Sequence, residues 1–187
     1  MSQNIIPAIR LTLVSILFFI GIYSLIILAG AQLAPGRGKG ERVTFGSTVV
    51  GWKLVGQKFT DDKYFWGRPS AVDYNAASSG ASNKGPTNPD YLKQVKDRID
   101  TFLVHNPGVD KSEIPSDLVT ASGSGLDPDI SVPGAYVQVD RVAKARGMNV
   151  EQVKELVDKH VEEPLLGLFG TRKVNVLTLN IALDKLK

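Results

Sequence analysis

The sequence contains no cysteine among its 187 residues and only two histidines, His105 and His160. Without cysteine, a disulfide framework is excluded, and so is any metal site built on thiolates. Two histidines could hold zinc only together with a suitably spaced set of carboxylates, and the sequence contains no such set. The absence of cysteine fits an oxidising and a reducing compartment equally well. We therefore expect neither a metal site nor a thiol-based activity.

Long runs of like charge are also missing. Lys and Arg together number 22 and Asp and Glu 19, so the net charge is only +3, and the two signs are interleaved along the chain. Binding of nucleic acid requires a basic stripe or a basic patch with aromatic residues among it, and the sequence has neither. We expect no nucleic acid among the partners of this chain.

One stretch near the N-terminus has no charge at all. From Leu11 to Gly36 there is no Asp, Glu, Lys or Arg, and most of the residues are large and apolar. About 20 such residues at helical rise span the hydrocarbon core of a bilayer. The pattern predicts a transmembrane helix over 11–33, after an N-terminal flank over 1–10 and before a linker over 34–42. The lipid bilayer is thus an expected partner.

A cleaved signal peptide is the alternative interpretation of this stretch, because Ala29-Gly30-Ala31 would suit a cleavage site. The apolar region of signal peptides is usually about 7–15 residues long, and this one is longer, which favours an uncleaved anchor. The charges beside the helix, Arg10 before it and Arg37 after it among them, do not settle which side of the membrane the rest of the chain occupies.

Two glycines interrupt the apolar surface of the predicted helix. Small residues allow close approach of neighbouring helices in a membrane, where helix association depends on packing. Gly21 and Gly30 therefore predict a helix that packs against a partner.

The remaining residues, 43–187, predict a single soluble domain in which helices and strands are mixed. The fold class is thus α+β, with one N-terminal transmembrane helix followed by a mixed α/β soluble domain. Hydrophobic periodicity and capping residues define its elements. They are short strands within 43–59, an irregular segment over 60–88, a helix from Asn88-Pro89 to His105, a helix from Ser131 to Gly147, a helix that starts at Asn149, a strand over 172–180 and a closing tail or helical turn over 181–187.

The stretch "VTASGSGLDPDIS" (119–131) has the composition of an active-site loop. Ser124 lies between two glycines, but the nucleophile pattern G-x-S-x-G requires glycine at positions where the chain has Ser122 and Leu126. A serine nucleophile also needs a histidine base, and both histidines lie on predicted helices in positions typical of surface or cap residues. We interpret the stretch as a turn, with no catalytic residue. A membrane-anchored or secreted serine hydrolase or binding domain remains the alternative.

The irregular segment 60–88 carries large aromatic and basic side chains. Trp66, Arg68 and Tyr74 are of the types that dominate protein interfaces, and long loops often carry contacts with partners. The sequence predicts partner contacts at these residues. The equally strong alternative is a loop that folds back on its own domain.

Five blocks of the sequence resemble one known family: "YFWGRPSA", "YNAASSGASNKGPTNP", "PSDLVTASGSGLDPDIS", "QVDRVAKARG" and "VNVLTLNIALDKL". They are similar to the C subunit of the Kdp-type potassium-transporting P-type ATPase. The resemblance implies a non-catalytic, single-pass subunit in the inner membrane of a bacterium or archaeon. Its implied partners are the potassium-conducting subunit, the P-type ATPase subunit and a small membrane peptide. The phosphorylation motif Asp-Lys-Thr-Gly-Thr is absent from this chain.

The resemblance implies two mechanisms that are hard to combine. In one, the subunit is a catalytic chaperone that raises the ATP affinity of the ATPase subunit, with Gln138 as the residue that meets the nucleotide. Arg141, one helical turn further on, is a second candidate for this contact, and the alternative is that both residues belong to a polar helix face. In the other, the soluble domain lies outside the cell, where it cannot touch cytoplasmic ATP. We expect the extracytoplasmic placement, with no tightly bound cofactor and with ATP and potassium handled by the complex as a whole.

Overall fold

The computed structural model describes residues 4–186, which divide into two units, 4–42 and 43–186. Residues 1–3 of the predicted flank and Lys187, the last residue of the predicted soluble domain, lie outside the described residues. The two units are considered separately below.

The first unit contains one long helix, α1, over Ile5–Ala31, with a π-helical stretch over Leu17–Tyr23. It begins six residues before the predicted start because Pro7, in the first turn, fits a position whose N–H would have no partner in the helix. At 27 residues the helix is about 40 Å long, enough for a hydrocarbon core of about 30 Å. It is long and apolar enough to cross a membrane. Turns follow it through residues 32–38.

Apart from Arg42, which begins the first strand and is the last residue of the first unit, five short strands and five helices make up the second unit among the residues described. The strands are β1 (Arg42–Phe45), β2 (Thr48–Trp52), β3 (Asp129–Ser131), β4 (Val161–Glu162) and β5 (Lys173–Asn175). The helices are α2 (Pro89–His105), α3 (Val132–Tyr136), α4 (Val139–Arg146), α5 (Val150–Lys159) and α6 (Val176–Lys185). Short 3₁₀ turns lie at Lys111–Glu113 and Ser116–Leu118. The predicted α+β class is confirmed.

The core forms around a small antiparallel sheet in the order β3-β5-β4. Its central strand places the fully buried Val174 opposite Ile130 on one side and Val161 on the other. Helices α4 and α5 pack on each other, and α5 also packs on α6. Phe65, from the irregular segment, is buried in the same cluster of apolar side chains. This segment therefore belongs to the core although it forms no helix or strand.

Local capping chemistry places three of the helices where the sequence predicts them. The side chain of Asn88 accepts a hydrogen bond from Tyr91 N, that of Ser131 from Gly134 N, and that of Asn149 from Glu151 N. Each side chain satisfies an N–H group that has no partner within its helix. Gly147 ends α4 in the left-handed conformation, with φ of 64°.

Two predicted elements are corrected by the structure. The single helix predicted from Ser131 to Gly147 is two helices, α3 and α4, with a break at Val137 and Gln138. The strand predicted over 172–180 ends at Asn175, where α6 begins. Leu177 is also buried in α6, but four other buried residues of this helix, Val176, Leu179, Asn180 and Leu183, have the spacing of a helix face and not the alternation of a strand.

Asn175 joins the sheet to α6, and its loss is expected to be costly. Its Oδ1 accepts from Thr178 N at 3.0 Å, and its Nδ2 donates to Lys53 O at 2.8 Å and Asp129 Oδ1 at 3.2 Å. Asn175→Ala removes a cap and leaves buried polar groups unpaired, so we expect a loss of about 2–4 kcal/mol in the free energy of unfolding. Urea unfolding of the full chain in detergent, followed by circular dichroism, measures it.

The matched control for this prediction is Asn149→Ala, which removes an exposed cap without buried partners. It is expected to cost about 1 kcal/mol. Equal losses for the two variants would show that the buried bonds of Asn175 contribute nothing beyond capping.

Candidate functional site

Residues 61–66 lie in a non-helical segment, a turn over 61–64 followed by irregular backbone, whose carbonyl groups are bonded by side chains. All six carbonyl groups, from Asp61 to Trp66, accept hydrogen bonds from side chains. The donors are Trp66 Nε1 to residue 61, Arg141 Nη1 to residues 62 and 64, Arg146 Nε to residue 63, Asn180 Nδ2 to residue 65 and Gln138 Nε2 to residue 66. Each of these carbonyl groups thus has the hydrogen-bond partner that a neighbouring strand supplies in a sheet.

Two buried side-chain amides, those of Gln138 and Asn180, each form two hydrogen bonds with the backbone of one residue of this segment. We call this pair of residues the amide clamp. Asn180 Oδ1 accepts from Phe65 N at 2.8 Å, and its Nδ2 donates to Phe65 O at 3.0 Å. Gln138 Oε1 accepts from Trp66 N at 2.8 Å, and its Nε2 donates to Trp66 O at 3.2 Å. Each amide thus imitates the pair of hydrogen bonds that a strand neighbour would make.

The amide of Gln138 has no hydrogen-bonding position left. In addition to its two bonds with Trp66, its Oε1 accepts from Arg141 Nη2 at 2.6 Å and its Nε2 donates to Gly134 O at 2.8 Å. An amide offers two donor hydrogens and two acceptor positions, so all four are used. The side chain is fully buried. Contact between this amide and a nucleotide would require some of these bonds to open.

Arg141 is a buried cation that completes the network. Its side chain is only 3% exposed, and its Nε donates to Asn106 Oδ1 at 3.1 Å. Its guanidinium lies over the indole ring of Trp66, 4.4 Å from the centroid, as in a cation–π contact. Burial lowers the pKa of Arg141 to about 10, although Asp62 and Asp61 oppose this effect. The group is still a cation at neutral pH.

The two histidines bond to groups near helix ends and not to a serine. His105, at the C-terminus of α2, lies 2.8 Å through its Nδ1 from Asp62 Oδ1, and its ring packs against Trp66 with centroids 4.9 Å apart. His160 caps α5, and its Nδ1 lies 2.8 Å from Leu156 O. His160 is thus a cap residue, whereas His105 ends its helix and bonds to the carboxylate of Asp62, and neither position differs from the surface or cap roles predicted.

Trp66, Arg68 and Tyr74 all bond within their own domain. Arg68 Nη1 forms an ion pair with Asp127 Oδ2 at 2.9 Å, and Tyr74 donates its hydroxyl to Arg68 O. Burial, with smaller contributions from Asp127 and Asp73, raises the pKa of Tyr74 to about 12, so the hydroxyl remains a donor at neutral pH. These contacts agree with a loop folded back on its domain. A contact with a partner at these residues stays a prediction.

The hydroxyl-rich stretch 119–131 is a turn held against the irregular segment. Ser124 Oγ accepts from Leu126 N, and Ser124 O accepts from Gly80 N and from Ser79 Oγ. Gly125 has φ of 67°, and a Cβ there would lie 2.5 Å from a methyl of Val72. Only glycine fits such a position without rearrangement. Ser124 therefore stabilises a turn, as the sequence interpretation holds.

A cavity of about 580 Å³ lies beside Arg141, between the end of α2 and α4. Its walls carry the cationic or basic side chains of Lys144 and His105, but also the carboxylates of Asp62 and Asp140. Phosphate groups favour helix N-termini and unopposed cations, so this mixed lining is a poor match for a nucleotide. Within residues 4–186, no group of three or more His, Asp or Glu side chains is arranged to hold a metal ion.

The glycines of the apolar helix are not required by the helix itself. A Cβ at Gly30 would meet nothing within 4 Å, and one at Gly21 would meet only Leu17 Cδ1 at 3.8 Å. Both positions therefore have room for a larger side chain in this unit. Their predicted role in packing against a partner helix stays a prediction.

Two residues of this network, Asn180 on α6 and Arg146 on α4, were not predicted from the sequence. Their side chains donate to carbonyl groups of the segment 61–66. Arg146 also pairs with Asp184 at 2.6 Å and lies over the Tyr64 ring. Helical spacing in the C-terminal block would have placed Asn180 on the buried face, but that block was interpreted as a strand.

These observations define a class: an α+β domain on an apolar N-terminal helix, whose conspicuous polar residues serve the fold and not a reaction. The sequence pattern of the family described as "KdpC: K+-transporting ATPase, c chain" matches residues 5–185. The chain therefore belongs to the c-chain family of potassium-transporting ATPases. As a member, it is an accessory subunit of a potassium uptake complex and not the catalytic subunit.

Three relatives illustrate the similarity, each described as "Potassium-transporting ATPase KdpC subunit". The protein from Bacteroides fragilis is 57% identical over 188 residues, which cover 99% of this chain and 98% of the relative. That from Flavobacterium psychrophilum is 55% identical over 185 residues, with 99% and 100% covered. That from Caldanaerobacter subterraneus is 48% identical over 184 residues, with 98% and 95% covered. The serine hydrolase alternative gains no support from these comparisons.

Proposed function

We propose that this chain is an extracytoplasmic assembly subunit that acts on potassium uptake without touching ATP. Its apolar helix anchors it in the inner membrane of a bacterium or archaeon. Its soluble domain lies outside and contacts the potassium-conducting subunit. Through the assembled complex it affects the P-type ATPase subunit, and a small membrane peptide is a further partner. Potassium and ATP are handled by the other subunits.

The observation that carries this proposal is the environment of Gln138. Its amide uses all four of its hydrogen-bonding positions inside the protein, and its neighbour Arg141 bonds to four groups of the same network. A residue that served a nucleotide would be expected to keep some of its polar atoms available. The two residues proposed to meet ATP thus already have a structural role, which supports a domain that does not contact the nucleotide.

Sidedness is tested by labelling single cysteines, which is straightforward because the chain has none of its own. Ala76 is exposed in the irregular segment, so Ala76→Cys is expected to react with a membrane-impermeant maleimide in intact cells. Asn4→Cys, at the other end of the apolar helix, is expected to react only after the membrane is permeabilised. Labelling is read on the purified chain after denaturing electrophoresis.

The control for unfolding is Ala135→Cys, whose side chain would be fully buried. It is expected to remain unlabelled before and after permeabilisation. If Ala76→Cys reacted only in permeabilised cells while Ala135→Cys stayed unlabelled, the domain would lie in the cytoplasm and the proposal would fail.

A further inference from the structure

An exposed apolar turn projects from the soluble domain between β4 and β5. The sequence "PLLGLFG" occupies residues 164–170, and four of its side chains form what we call the apolar tip: Leu165, Leu166, Leu168 and Phe169. Their side chains are between 64% and 80% exposed. Single exposed leucines are ordinary on protein surfaces, but four large apolar residues in five consecutive positions mark a surface for interaction.

The apolar tip is a closed turn and not an open coil. Leu165 and Phe169 exchange two backbone hydrogen bonds, each of 3.0 Å, and Gly167 N donates to Pro164 O at 2.9 Å. Leu166 has a positive φ of 56°, a conformation that is unfavourable for leucine. The fold thus keeps a leucine in a costly conformation at a position that is 80% exposed, where folding itself gains little from it.

The charges at the base of the apolar tip are paired. Arg172 Nε lies 2.9 Å from Glu163 Oε1, and Lys173 Nζ lies 2.5 Å from Asp129 Oδ2 and 3.8 Å from Glu162 Oε2. Loops that bind anionic bilayers present cations free to meet lipid headgroups. Here each of the two cations beside the turn already has a carboxylate partner. Because the charges next to the apolar tip are paired, we expect a protein surface, and not a lipid surface, to cover the tip.

All four residues of the apolar tip are at least 64% exposed, so a partner that covers them all must remove a large apolar area from water. An apolar pocket that encloses the turn removes more of this area than a contact with a single side chain would. The tip of a second copy of this chain is itself an exposed turn and offers no such pocket. The chain belongs to a family of complex subunits, so other subunits are the surfaces available to it.

From these contacts we infer that the apolar tip inserts into an apolar pocket on the extramembranous surface of another subunit of the potassium-transporting ATPase. The inference rests on the proposed role in assembly, but it does not depend on which side of the membrane the domain occupies. It predicts a buried, largely uncharged contact in which Leu168 and Phe169 supply the anchoring side chains.

The first test replaces the anchors in the full chain within the complex. Leu168→Gln with Phe169→Gln is expected to reduce recovery of the other subunits with the tagged chain, after detergent extraction and dilution, about tenfold or more. The matched control is Val104→Gln with Leu54→Gln, which changes two side chains of 77% and 66% exposure elsewhere on the domain. It is expected to leave recovery unchanged, and both variants are expected to keep the parental melting temperature. Normal recovery with the tip variant would overturn the inference.

The second test identifies the occupant directly. A photoreactive benzoylphenylalanine at position 169, activated in native membranes, is expected to form a crosslink to another subunit of the complex. A crosslink to lipid, a crosslink to a second copy of this chain, or no crosslink would each overturn the inference. Cysteine labelling reports sidedness separately, so a cytoplasmic domain that still crosslinked to a subunit would refute the outside placement and leave the apolar tip contact standing.

Discussion

Replacement of Arg141 with Met is expected to lower the free energy of unfolding of the soluble domain by about 4 kcal/mol or more. The guanidinium donates to Asp62 O, Tyr64 O, Asn106 Oδ1 and Gln138 Oε1, and it stacks on Trp66. Each acceptor left unpaired in a buried position costs about 1–3 kcal/mol. Because domains of this size are stable by about 5–15 kcal/mol, the variant is expected to lose a large fraction of its stability.

Two comparisons show whether this loss comes from the fork of hydrogen bonds or from charge alone. Arg141→Lys keeps the charge but offers one compact ammonium in place of a planar fork, so we expect it to recover only part of the stability. Arg172→Met removes an exposed arginine that pairs with Glu163 and is expected to cost less than about 0.5 kcal/mol. Denaturant unfolding of all three variants measures these differences, and full rescue by lysine would contradict the role given to the fork.

The parts of this fold that could be predicted from the sequence are those fixed by neighbours along the chain. Asn88, Ser131 and Asn149 each cap a helix within three residues of themselves, and Gly147 ends one where its own backbone turns left-handed. Such signals depend on the chemistry of a few adjacent groups. The apolar helix is equally local, because its length and lack of charge define it.

The network around residues 61–66 could not be predicted in this way, because its bonds join distant parts of the chain. Gln138 lies 72 residues from Trp66, and Asn180 lies 115 residues from Phe65. A buried amide looks the same in a sequence as a solvated one. The sequence therefore singled out Gln138 and Arg141 only through a resemblance, which suggested a nucleotide, whereas the structure shows what these side chains bond to within the domain.

The strand predicted over 172–180 is wrong for a different physical reason. Val174, Asn175 and Val176 alternate in polarity as a strand would, and β-branched residues favour strands, although Val176 and Leu177 break the alternation. However, Asn175 Oδ1 accepts from Thr178 N and so starts a helix at the point where the sheet ends. The resulting helix places Asn180 against Phe65, which a continued strand would not have done in this register.

Gln138→Ala is expected to destabilise the soluble domain by about 3–5 kcal/mol while leaving the ATP dependence of the assembled complex nearly unchanged. The substitution leaves Trp66 N, Trp66 O and Gly134 O without partners in a buried position, removes one acceptor from Arg141, and leaves a cavity. If the domain lies outside, its effect on ATP turnover passes through the other subunits as a coupling free energy of about 1–3 kcal/mol, not through contact with the nucleotide.

The amide clamp supplies the control that separates a structural role from a nucleotide contact, because its two members make the same kind of bond to adjacent residues. Asn180→Ala removes the bonds to Phe65 as Gln138→Ala removes those to Trp66, yet Asn180 has no proposed link to ATP. With turnover normalised to fully assembled complex, we expect both variants to show lowered melting temperatures and the same apparent ATP affinity as the parent. Direct contact with the nucleotide would instead be worth roughly 1.5–3 kcal/mol, so Gln138→Ala alone would weaken the apparent affinity about tenfold or more. Such a difference between two equally destabilised variants would assign Gln138 to the nucleotide and place the soluble domain in the cytoplasm.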